Sequence, residues 1–298
     1  MNAGTPPTPL WLKALQFPPI RLVLLGYLLL QCLGHSNFFM EQTQGDWFMA
    51  IVAAAGMIAL AMWIYVGFAR FIEQREPGDL ALEAMPRELG IGILVGAGLY
   101  TAGILALMML GITRIEGTNP VSIMLPAISM ALSSGFLEEL LFRGALFRIV
   151  EEWLGSWIAV VVSSVVFGFV HLMNPAATLT GAIFISIEAG LLLAAAYMVT
   201  RRLWLGIGFH VSWNYTQSAV FGGVVSGGVA EPGLFKTVTV GPELLTGGGF
   251  GLEASLVPCL LATTAGVVLA VMAVRRGHVV PPFWKQTTAP SAAVALPQ

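Results

Sequence analysis

Charge is what this chain has least of. Asp, Glu, Lys and Arg together make up 10% of its 298 residues, against roughly 25% in a soluble globular domain. That is too little polar material to cover a water-facing surface of this size. The net charge of −2 excludes a basic field strong enough to make nucleic acid or anionic lipid headgroups the main partner. Cysteine is nearly absent: Cys32 and Cys259 both fall inside apolar runs, form no metal or redox spacing, and read as packing residues within lipid-embedded helices. The His-Glu-x-x-His signature of many zinc peptidases is missing. No internal repeat marks a transporter built from duplicated halves. The proline-bearing start (Pro6, Pro7, Pro9, Pro18, Pro19) leads into the first apolar run without a small-residue cleavage site, so that run reads as a retained span, not a signal peptide.

What the chain has in excess is apolar sequence: 57% of its residues are hydrophobic, and the mean hydropathy is +0.83. The runs recur at the length of a membrane crossing. Punctuation by charge, Gly and Pro divides them into about eight spans, at 21–40, 46–69, 89–112, 120–147, 156–174, 177–200, 203–222 and 253–274. The expected fold is therefore an all-α, polytopic transmembrane bundle forming one domain over 21–276. With the N-terminus in the cytosol, twelve of the 14 Lys and Arg residues fall on cytosolic segments and only Arg114 and Lys236 fall outside. This asymmetry sets the orientation and favours an even span count, with both termini cytosolic. Residues 1–20 form a cytosolic segment, 223–252 an external Gly-rich loop with short irregular structure, and 277–298 a disordered cytosolic tail. Membrane lipid is the first partner, and a multi-pass place in a bacterial plasma membrane is expected.

Against this background the informative residues are those that oppose it, since an ionisable side chain at membrane depth costs about 2.5–3.5 kcal/mol even on lenient scales. Span four carries Glu138, Glu139 and Arg143 in the stretch SSGFLEELLFRG. Glu139 and Arg143 stand four apart with the acid first, the favoured same-face pair. Glu138 points about 100° away and has no local counter-charge. Ser133, Ser134 and Gly135, one turn earlier, let another helix approach closely. Span five carries His171 with Phe167 one turn before it, and Asn174-Pro175 closes the helix. Span seven carries His210 and Asn214 on one stripe, and span six a lone Glu188. At about 1.5 Å per residue, Glu138, His171, His210 and Asn214 lie roughly 15, 22, 10 and 16 Å from the cytosolic ends of their spans, so one middle layer can hold all four. A lone His or Asn in a span also serves as a helix-to-helix hydrogen-bond partner. Glu188 can line a cavity, pair with a neighbour or sit protonated in the bundle.

Three motifs, each on its own span, carry a resemblance: Glu-Glu-x-x-x-Arg at 138–143, Phe-x-x-x-His at 167–171 and His-x-x-x-Asn at 210–214. Together and in this order they resemble the CPBP family, the CAAX-processing and Abi group of intramembrane glutamic endopeptidases that includes the type II CAAX prenyl proteases. The likeness covers a protease core of about 120–222. The stretch GPELLTGGGFGLEAS before the last span also looks like a loop of many bacterial members. The resemblance implies that Glu138 and His171 activate a water, that His210 and Asn214 stabilise the oxyanion, and that Glu139, Arg143 and Phe167 support them. It also implies a metal-free site without a cofactor, acting on a peptide or membrane-anchored, lipidated protein. Three rival readings remain at this stage: a zinc metallopeptidase using Glu138, His171 and His210, a non-catalytic scaffold or immunity protein of the same fold, and an ion or proton pathway. Substrate identity and oligomeric state are not written in the sequence.

Overall fold

The structure is a computed structural model describing residues 9–43 and 45–286. Seven helices among these residues are long and apolar enough to cross a membrane. In chain order they are α1 (Pro18–Gln42), α2 (Trp47–Phe71), α3 (Met85–Met109), α4 (Val121–Leu154), α5 (Ser156–Val170), α6 (Leu179–Thr200) and, last, α8 (Leu256–Arg275). Between α6 and α8 runs α7 (Trp204–Tyr215), extended by a π-helical turn, Thr216–Val220. It occupies the place expected for span seven but is shorter than the others and mostly buried. The chain is an integral, multi-pass helical membrane protein.

Local chemistry sets the helix ends. Prolines open α1, where the missing N–H costs nothing. The Asp46 carboxylate accepts from the Met49 N–H at the start of α2, and the Thr178 hydroxyl accepts from the Gly181 N–H at the start of α6. Gly155, at φ 86°, ends α4 in a conformation that suits glycine, and a Cβ there would meet the Pro282 nitrogen at 2.8 Å. Residues 277–286 differ from the disordered tail expected from the sequence. The Ser156 N–H donates to the Val280 carbonyl, the Val280 N–H donates to the Ser156 hydroxyl, and His278 Nδ1 lies 3.0 Å from the Met198 carbonyl. Polar partners on neighbouring helices, invisible to composition, hold this stretch. The rest of that tail lies outside the described residues.

The Gly-rich stretch also holds more regular structure than expected. Strand β1 (Thr113–Thr118), just after α3, pairs antiparallel with β2 (Phe235–Thr239), with Thr113 opposite Thr239 and a bulge between Ile115 and Thr118. This pairing ties the long loop to the bundle.

Two apolar clusters fill the interior. One, around Tyr65, Phe147, Tyr197 and Trp204, lies where α2, α4, α6 and α7 meet. The other, around Tyr100, Phe167, Trp213 and Phe250, joins α3, α5, α7 and the loop. Large apolar side chains such as Trp63, Leu94 and Met109 point outward, the arrangement a lipid solvent rewards.

Helix α3 crosses α7 at close range. A Cβ on Gly96 would strike the Phe209 carbonyl and the Ser212 hydroxyl, and one on Gly208 would strike the Leu89 carbonyl. Small residues let the two backbones touch here, which fixes the helix carrying His210. Gly96→Leu is expected to lower stability by about 1–3 kcal/mol, read as a lower thermal midpoint in detergent. An unchanged midpoint would show that the crossing can open without cost.

Candidate active site

The segment carrying the two glutamates is not a plain α-helix. Within α4, the α-helical turn Ala127–Ser133 gives way to π-helix at Ser134–Glu138 and again at Leu140–Phe147. Wide turns of this kind cost hydrogen-bond geometry and recur at functional sites. Gly135 admits α7, since a Cβ there would meet Val211 at 2.5 Å. A larger side chain would push the glutamates and His210 apart.

The adjacent carboxylates part company, as their spacing predicts. Glu139, 1% exposed, accepts from Arg143 Nη1 at 2.8 Å, and its same oxygen lies 3.2 Å from His210 Nδ1. Arg143 is fully buried, donates also to the Ala189 and Gly190 carbonyls at 3.3 and 3.4 Å, and lies over the Phe167 ring at 4.5 Å. Glu138 has no such engagement. Its Oε2 is buried without a hydrogen-bond partner and stands 3.8 Å from His210 Nε2.

The two histidines are held by their Nδ1 atoms. His171 begins the 3-10 turn that follows α5, and its Nδ1–H donates to the Phe167 carbonyl at 2.7 Å. This leaves Nε2 as the free acceptor. His210 Nδ1 faces Glu139, which turns Nε2 toward Glu138. The Phe167 ring lies 5.0 Å from the His171 ring and 5.9 Å from the His210 ring, so it spaces the two imidazoles. Asn214, one turn beyond His210, donates from Nδ2 to the Ser134 hydroxyl at 2.9 Å, and Ser134 donates on to the Met130 carbonyl.

A small cavity, with about 20 Å³ available to water centres, opens beside His210, Asn214 and Phe167, enough for about one water. Glu188 lines it too, with Oε2 buried and unpartnered, so the lone glutamate of span six faces a cavity. Glu138 and His171 are not in that lining. Glu138 adjoins a lining residue at 3.8 Å from His210 Nε2, and His171 adjoins another through the Phe167 ring. Among the described residues no group of three or more His, Cys, Asp or Glu is arranged to hold a metal ion.

One charged residue of the cavity wall went unread in the sequence. Glu253 accepts from Trp213 Nε1 at 3.2 Å and from the Ser226 hydroxyl at 2.9 Å, and it lines the cavity with both. Its sequence signal was a single acid after a glycine run, LTGGGFGLEAS, visible only as part of a loop resemblance.

The chain matches none of the curated proteins and none of the solved structures with which it was compared. Residues 120–216, which contain all three motifs, match the family described as type II CAAX prenyl endopeptidase Rce1-like, in agreement with the CAAX protease family that the motifs resemble.

Proposed function

We propose that the protein is an intramembrane endopeptidase that hydrolyses a peptide bond of a membrane-anchored, lipidated, CAAX-like substrate through a glutamate-activated water. The observation that carries the reading is the division between the paired acids: Glu139 is consumed by Arg143 and His210, while Glu138 presents a buried, unpartnered oxygen at the same histidine. A carboxylate kept free at such a cost suits a base. Glu138 accepts a proton from the water as its oxygen attacks the scissile carbonyl. His171 Nε2, free because Nδ1 is committed, orients that water. The proton then passes to the departing amine nitrogen as the C–N bond breaks.

His210 and the second Nδ2 hydrogen of Asn214 face the oxygen on which charge develops. With Nδ1–H given to Glu139, donation from His210 Nε2 uses the imidazolium, which has a carboxylate on each side. One well-aimed donor of this kind is worth about 2.7–4 kcal/mol in a water-poor site. Glu139, Arg143 and Phe167 hold the geometry. The proposed orientation places both termini and the arginine-rich helix ends in the cytosol of a bacterial cell, with substrate entering from that side or laterally from the bilayer.

The test is cleavage of lipidated and unlipidated membrane-anchored peptides in proteoliposomes, run in ¹⁸O-water and read by mass spectrometry. A single cut with ¹⁸O in the new carboxylate, lost in both Glu138→Gln and His171→Ala, is the expected result. Cleavage that survives both changes would overturn the reading. Activity lost on chelation and restored by stoichiometric zinc would replace the glutamate mechanism by a metallopeptidase.

A further inference from the structure

Glu253 lies outside the family match and outside the three motifs, yet it is 5% exposed and fully engaged at the cavity wall. A buried carboxylate needs a reason, and its partners supply one. Trp213, on α7 between His210 and Asn214 in sequence, donates its indole N–H to one carboxylate oxygen. Ser226 donates both its hydroxyl and its backbone N–H to the other.

From Ser226 the connections run on to the segment behind His171. Asn174 Nδ2 donates to the Ser226 carbonyl at 2.7 Å, the Ala176 N–H donates to the Gly227 carbonyl at 2.8 Å, and the Gly227 N–H donates to the Phe250 carbonyl at 2.8 Å. Asn174 follows His171 by three residues, across the 3-10 turn that His171 begins. The carboxylate thus sits at the junction of the helix carrying His210 and Asn214, the turn carrying His171, and the external loop. Burial pushes the Glu253 carboxyl up, and the Ser226 donors pull it back down.

We propose that Glu253 is a positioning residue of the peptidase site, stapling α7 at Trp213 to the turn behind His171 by way of Ser226 and Asn174. The inference rests on the peptidase reading for its catalytic consequence, but the staple itself can be observed without turnover. The His171 turn caps a helix that ends there, and 3-10 geometry alone holds such a turn weakly. A loop carboxylate that gathers donors from two elements removes that freedom, so the histidine and the His-x-x-x-Asn stripe keep one separation.

The experiment uses the full chain in nanodiscs. Hydrogen exchange of Glu253→Ala is expected to rise in peptides covering 171–178 and 222–228 and to stay at the wild-type level in α1 and α2. In the same preparation kcat is expected to fall about 10- to 100-fold, the scale of a small misplacement of reacting groups, with KM within about twofold. Trp213→Phe removes the indole donor with its five-membered ring and keeps an aromatic face toward Tyr100 and Phe209. It is expected to show the same split with a smaller loss in kcat, and it decides the question if the alanine variant does not fold. Exchange confined to 247–255 with 171–178 unchanged, or an unchanged kcat beside a loosened loop, would overturn the proposal. A wild type that shows no Glu138-dependent cleavage would instead overturn the peptidase reading, and the exchange pattern would still report whether Glu253 joins the two elements.

Discussion

Glu138→Gln is expected to lower kcat by about 10²–10⁴-fold, the usual contribution of a positioned general base, and to leave the thermal midpoint near that of wild type. Its neighbour should behave in the opposite way. Glu139→Ala strips a fully buried Arg143 of its 2.8 Å partner, and breaking a buried pair from one side costs about 3–5 kcal/mol. The contrast follows from the contacts, because the Glu138 oxygen that faces His210 has no hydrogen-bond partner to lose, whereas Glu139 binds two groups at once. A double variant, Glu139→Ala with Arg143→Met, tests the second role of Glu139. Removing both charges should recover most of the stability, since an apolar replacement of a buried ion pair is often neutral. Turnover should stay low, because His210 has still lost the carboxylate that orients its ring and stabilises its imidazolium, a role known to have a large effect for a catalytic histidine. Kinetics and melting curves on the four proteins decide the matter. Recovery of both stability and turnover in the double variant would make Glu139 architectural only, and a Glu138→Gln enzyme with near-normal kcat would remove the base from the mechanism.

The sequence carried the membrane bundle and the spacing of its buried charges because both are written in charge. An acid four residues before an arginine in an apolar helix predicts the Glu139–Arg143 pair, and the structure places it there. The His-x-x-x-Asn stripe likewise puts His210 and Asn214 on one cavity wall. What was not legible depends on departures from regular periodicity or on contacts across long separations. The π turns at Ser134–Glu138 and Leu140–Phe147 have no signature in a run of ordinary helix formers. His171 lies within a candidate span, Ser156–Met173, as expected, but on a closing 3-10 turn that spacing does not announce. Glu253 reaches Trp213 across 40 positions, a distance at which spacing says nothing. The strand pair β1–β2 is short, irregular and split by more than a hundred residues, so neither partner read as a strand alone.

At the arginine-rich end of the bundle, Glu73→Ala is expected to cost about 3–5 kcal/mol and to change how stability depends on acid. Glu73 follows α2, has a side chain that is 1% exposed, and accepts from Arg75 at 2.7 Å, Arg148 at 2.8 Å and Arg21 at 3.3 Å. Arg148 also donates to the Gly144 carbonyl and to Glu152, while Arg75 reaches Asp79 and the Tyr65 hydroxyl, which itself donates to Asp79. One carboxylate therefore ties α1, the end of α2 and α4 together. Without it three guanidinium groups face one another with less compensation. Burial pushes the Glu73 carboxyl up, but the Arg148 and Arg75 charges and their hydrogen bonds outweigh it and hold the carboxyl below the ordinary range. The sign follows from linkage. A carboxyl depressed in the folded state contributes stability that is complete above its unfolded value, about 4.3, and is lost as pH falls through the folded value. Wild type should accordingly lose stability in the acid range below about pH 4.3, and Glu73→Gln, already weakened at neutral pH, should lose less over the same interval. Melting midpoints in detergent from pH 7 to pH 3 would show parallel curves if Glu73 does not carry this dependence. Because α4 holds Arg148 at this junction and Glu138 and Glu139 ten and nine residues earlier, loss of the clamp should also reach the site. A fall in kcat of Glu73→Ala that is restored by lowering the assay temperature would mark that route.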